Sequence, residues 1–74
     1  MTPAEFNANA EQIRPRLSVA AGAQLTEFQQ SGLFPHEFNI NSFTGAIDSD
    51  ELYTEVRGAL MEAAGITPTF TPTN

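Results

Sequence analysis

Thr44-Gly45-Ala46-Ile47-Asp48-Ser49-Asp50-Glu51-Leu52 is the stretch whose reading organises the rest of the chain. Read locally, it is a helix start. Asp48 serves as N-cap, Glu51 three residues later completes a capping box, and Asp50 suits the positive end of the helix. Gly45 permits a turn before it. The helix this begins spans about residues 49–64. Leu52, Val56, Ala59, Leu60 and Ala63 recur at steps of three and four and form its buried stripe, with Tyr53 and Met61 at the edges. Gly65-Ile66 stops it with the signature of a Schellman ending. Glu51, Glu55, Gly58 and Glu62 line the opposite side, a solvated face, with a docking strip for a basic partner as the other reading.

Upstream of that start lies a connector, residues 33–47, with far more apolar mass than a solvated loop carries. Phe34, Phe38 and Phe43 stand there with Leu33, Ile40 and Ile47. The alternation Phe38-Asn39-Ile40-Asn41 suggests a short extended segment, yet no second strand exists to pair with it, and a lone strand of this length is unstable. These side chains either close a helical core or remain exposed as anchors for a partner.

Further back, Thr2-Pro3-x-Glu5 announces the first helix, with proline at the first helical position. Phe6, Ala10, Ile13, Leu17, Ala21, Leu25 and Phe28 then hold one apolar face. Pro15 interrupts it, at about 3 kcal/mol in a helix interior. A break into helices over 3–13 and 15–30, with Pro15 in the second one's first turn, avoids that penalty. Ser31-Gly32-Leu33 ends the second helix, Leu33 folding back on Phe28, and Pro35 blocks continuation.

The chain has 74 residues, no cysteine and a net charge of −6. A domain this short buries only about 60% of its unfolded surface, so its core is marginal. Without cysteine, neither a disulfide nor a thiolate metal site supplies the deficit. Three basic residues, all arginine, cannot form the phosphate-neutralising stripe of a nucleic-acid binder. The same sign of charge disfavours anionic membranes, and no apolar run reaches the roughly 20 residues of a membrane span. The start of the chain has neither a basic segment nor an apolar stretch, so no secretory signal is expected. The expected setting is intracellular, in the cytoplasm or within a particle assembled there.

The stretch from Gly45 also resembles the second half of an EF-hand calcium loop. With Gly45 at the turn position, Ile47 takes the apolar position, and Asp48 and Glu51 take the last two ligand positions. The resemblance implies a degenerate calcium-binding module with Asp48 and Glu51 as metal ligands. Its leading half departs from the pattern, because Ile40, Ser42 and Thr44 stand where oxygen ligands are needed. Asp48-Ser49 before a helix is similar to the modified site of acyl carrier proteins. Asp50, however, follows where that family has leucine, and too little chain follows for its later helices, so no cofactor is expected. The opening Met-Thr-Pro-Ala-Glu-Phe resembles that of some phage connector proteins.

Catalysis finds no set of residues. His36 is the only histidine and His36-Glu37 lacks the second histidine of a zinc helix. None of the serines sits in a nucleophile elbow. The expectation is therefore an all-α domain of three helices over residues 1–66, followed by an extended Thr/Pro tail over 67–74 with Phe70 as its apolar handle. Its expected role is non-catalytic: a protein-interaction module or structural subunit of a larger assembly, such as a particle component or an inhibitor of a host protein. Phe34, Phe38, Phe43 and Phe70 are the expected contacts to a protein partner or to further copies of the chain.

Overall fold

The capping box at Thr2 forms as its sequence dictates. Thr2 N–H donates to Glu5 Oε1 at 2.9 Å and Glu5 N–H donates to Thr2 Oγ1 at 3.1 Å. From there the computed structural model, which describes residues 1–66, is helical: α1 (Pro3–Ile13), a 3-10 turn (Arg14–Arg16), α2 (Val19–Ser31), α3 (Glu37–Thr44) and α4 (Asp50–Ala64). The chain is an all-α domain; among the described residues it has four α-helices where three were expected, and no strand. The tail and its Phe70 lie outside the described residues.

Pro15 breaks the helical run, but α2 does not restart on it. Pro15 sits in the 3-10 turn, where its missing N–H is no loss. Leu17 then turns extended, and Ser18 caps α2 by accepting from Ala21 N–H at 3.2 Å. The apolar phase survives the break because Leu17 still packs against the buried cluster to which Ile13 and Ala21 belong.

α3 lies where a connector without a helix was expected. Four alternating residues hid a longer helical pattern: Ile40, Phe43, Thr44 and Ile47 fall at i, i+3, i+4 and i+7. Ile40 and Thr44 are buried, while Phe43 and Ile47 pack against the core from its edge. The Thr44 hydroxyl is satisfied by donating to Ile40 O at 2.9 Å.

α4 is the central element, against which α1, α2 and α3 all pack. Its buried face is accordingly wider than one stripe. Met61, expected at an edge, is fully buried, and Ala64 joins Val56, Ala59, Leu60 and Ala63. Phe28 of α2 links the aromatic part of the core, 5.5 Å from Phe6 and 5.3 Å edge-on from Phe43 between ring centres.

The end of α4 realises the Schellman arrangement. Gly65 has φ 69, Ile66 N–H donates to Met61 O at 2.9 Å, and Gly65 N–H donates to Glu62 O at 3.1 Å. Asn9 of α1 satisfies another late carbonyl, donating to Ala63 O at 3.0 Å. The end of α2 differs from expectation: Gly32 is left-handed at φ 78, but Leu33 N–H goes to Ser31 Oγ at 3.2 Å and its side chain stays exposed. No helix among the described residues is long and apolar enough to cross a membrane.

Candidate interaction surface

The connector phenylalanines divide. Phe43 is a core-edge residue, held edge-on against Phe28. Phe34 and Phe38 point outward, 49% and 74% exposed, with the His36 ring between them. Ring centres are 5.8 Å apart for Phe34–His36 and 6.4 Å for His36–Phe38, so the three form one continuous row.

Local hydrogen bonds fix that row. Pro35 is buried and anchors the link. His36 N–H donates to Phe34 O at 2.9 Å, and Asn39 Nδ2 donates to the same carbonyl at 2.9 Å. His36 is itself the N-cap of α3: its Nδ1 accepts from Asn39 N–H at 3.3 Å. For Nδ1 to accept in a neutral ring, the proton sits on Nε2. Histidine is not among the favoured capping residues, which is why this helix start was not read from the sequence. The preceding proline and Glu37 in the first turn were its only local signals. Beside the row, Phe6, Phe28, Leu33, Phe34 and Pro35 enclose a cleft of about 130 Å³.

A second concavity lies between α2 and the corner joining α3 to α4. Phe43, Ala46, Ile47 and Leu52 floor this groove of about 630 Å³, and Glu27 and Asp48 stand on its rim. The sequence candidates thus fall in two places: Phe34 and Phe38 in the row, Phe43 and Asp48 at the groove.

The calcium-loop reading meets a different backbone. Ile40, Ser42 and Thr44, aligned with the loop's leading half, belong to α3. Gly45 has φ −60, ordinary right-handed backbone. Asp48 precedes the cap of α4, which is Ser49 (Leu52 N–H to Ser49 Oγ, 3.3 Å), and Glu51 lies in the first turn. Asp and Ser rank alike as N-caps, so adjacent residues leave the choice open locally. Among the described residues, no group of three acidic or histidine side chains is placed to hold a metal.

The charges are distributed unevenly. Arg14 forks onto Glu11 at 2.9 Å and donates to Gly22 O at 3.0 Å, Thr26 Oγ1 and Gln29 Oε1. Arg16 pairs with Glu62 at 2.7 Å, and Arg57 Nε donates to Asn41 Oδ1 at 2.9 Å. Each arginine is therefore occupied within the chain. Hydrogen bonds from the backbone N–H and then the hydroxyl of Ser18 hold the Glu55 carboxyl below the ordinary Glu range. Glu55 and Glu62, expected on a merely solvated face, thus tie α4 to the segment after α1. Comparison with protein-family models, with curated proteins and with solved structures returned no match.

Proposed function

We propose that this chain is a non-catalytic protein-interaction module, a structural or accessory subunit of a larger assembly, docking through the row Phe34–His36–Phe38. The carrying observation is that these rings stand exposed on a backbone held by specific hydrogen bonds. Burying one phenylalanine contributes roughly 1.5–3 kcal/mol. A domain with so small a core forgoes most of that gain at Phe38 and about half of it at Phe34. Aromatic anchors dominate interface energetics, and a row fixed in advance loses little entropy on docking. His36, the only histidine, caps α3 and serves the row's geometry.

The test compares Phe34→Ser/Phe38→Ser with Val19→Ser, since Val19 is equally apolar and 93% exposed but lies outside the row. Affinity capture from the source cells and light scattering on the isolated chain are read for each. Loss of association in the double variant alone supports the reading. Equal association in the wild type and in both variants overturns it. The mass of the captured complex then separates a repeating particle component from an inhibitor that occludes one host protein.

A further inference from the structure

We infer that the groove between α2 and the α3–α4 corner binds a basic amphipathic segment of a partner protein. An apolar side chain of that segment seats on Phe43, Ala46, Ile47 and Leu52, while lysine or arginine side chains reach Glu27 and Asp48. The inference rests on the interaction reading above and names the chemistry of a partner at a different face.

The floor and the rim make separate demands. The floor offers apolar surface that an apolar side chain would remove from water. The rim offers carboxylates without a cation: the ion pairs among the described residues are Arg14–Glu11 and Arg16–Glu62, and Arg57 lies on Asn41. Glu51, in the first turn of α4, is accounted for by the helix dipole. Glu27, in the second half of α2, has no such role, and Asp48, just outside the cap of α4, has no ion-pair partner among the described residues.

Charge then selects the occupant. A purely apolar segment would strip water from Glu27 and Asp48 and leave them unpaired. A second copy of this chain adds the same negative charge and, among the described residues, has all three arginines already engaged, so it brings no free cation to Glu27 and Asp48. The chain's own residues 67–74 contain no basic side chain to offer. A basic amphipathic segment meets both demands, and helices with such faces commonly dock in apolar grooves. A smaller depression of about 330 Å³, sharing Ser49 and Leu52 and lined by Glu51 and Glu55, adjoins the groove on α4 with the same sign of charge.

The experiment titrates the isotope-labelled chain with a short helical peptide of leucine and lysine. Peptides of glycine and lysine, and of leucine and glutamate, serve as comparisons. The leucine–lysine peptide is expected to shift amides around Glu27, Phe43, Ile47 and Leu52, and the other two to bind at least about tenfold more weakly. Glu27→Lys and Asp48→Lys should each weaken binding about tenfold, whereas Glu37→Lys, with the same net charge, should change it less than about twofold. Amide spectra of the free variants establish that each is folded. An equal effect of Glu37→Lys, shifts centred on Phe34 and Phe38, self-association through the groove, or no binding overturns the inference. The groove is intact in the Phe34→Ser/Phe38→Ser variant, so failure here and failure of the proposed function are read separately.

Discussion

Glu55 of α4 closes the start of α2, its carboxylate accepting from both Ser18 N–H and Ser18 Oγ at 2.8 Å each. In a capping box, a Glu at the third helical position bonds back to the N-cap N–H. That position in α2 is Ala21, whose N–H donates to Ser18 Oγ but whose side chain returns nothing. Glu55 supplies the missing half from another helix. One pair of residues therefore caps α2 and fixes where it starts against α4.

Ser18→Ala removes the cap and one of the donors to Glu55. Loss of an N-cap serine costs about 1 kcal/mol, up to about 2. For a domain of this size that lowers Tm by roughly 5–10 °C. Thermal melts of Ser18→Ala, Glu55→Gln and the double variant should show the double falling short of the sum, because the two act as one unit. Strict additivity would mean that the contact contributes nothing.

The acid limb follows from the same contact. Glu55 is held below the ordinary Glu value of 4.5 by the Ser18 N–H and then its hydroxyl. Glu11 is lowered by the Arg14 hydrogen bond and then by Gln29. Glu5 is lowered by the Thr2 N–H and then its hydroxyl. A carboxyl with a depressed folded value binds protons more readily when unfolded. Its stabilisation is full above the unfolded value and is lost as pH falls through the folded one. Relief of the net charge of −6 acts in the opposite direction on acidification, so the wild type alone is ambiguous. The difference in Tm between wild type and Glu55→Gln isolates Glu55. It should hold steady above pH 4.5 and shrink below it.

How far the sequence reaches depends on whether a signal is local. Thr2-Pro3-x-Glu5 and Gly65-Ile66 contain their whole instruction within a few residues, and both form as read. The Ser18–Glu55 contact spans 37 positions, and nothing near Ser18 announces it. α3 was missed because four alternating residues outweighed the wider spacing of Ile40, Phe43, Thr44 and Ile47. The site shows the same division. Phenylalanine content marked the connector as unusual, but composition cannot distinguish Phe43, which reaches Phe28, from Phe38, which faces solvent.

Arg14→Lys probes the joint between α1 and α2. The Arg14 side chain is 29% exposed and its fork serves Glu11, Gly22 O, Thr26 and Gln29 together. Lysine keeps the charge but not the planar fork. Hydrogen bonds to charged groups contribute about 1.5–3 kcal/mol each at most, and lysine retains some, so a loss of about 1–2 kcal/mol is expected in urea unfolding. A change within error would reduce Arg14 to a surface ion pair.

Gly58 and Gly65 should respond to alanine in opposite ways. Gly58 lies inside α4 with nothing within 4 Å of an added Cβ, so Gly58→Ala should stabilise by about 0.5–1 kcal/mol. Gly65 has φ 69, and a Cβ there suffers left-handed strain of about 1–2 kcal/mol. The pair is read from denaturant midpoints. A destabilised Gly58→Ala would place an unseen contact on that face of α4.

The last comparison separates core from surface within the connector. Phe43 meets Phe28 edge-on at 5.3 Å and packs against the buried cluster, so Phe43→Ala opens the core's edge. A fully buried phenylalanine costs about 3–5 kcal/mol on truncation, and a partly buried one should cost about 1–3. Phe38 pairs with the His36 ring and is 74% exposed, so Phe38→Ala should stay within about 0.5 kcal/mol of wild type. Phe38 would then be free to serve binding without a stability role. Melting temperatures that fall equally for the two variants would make Phe38 a structural residue and remove the main support for the docking row.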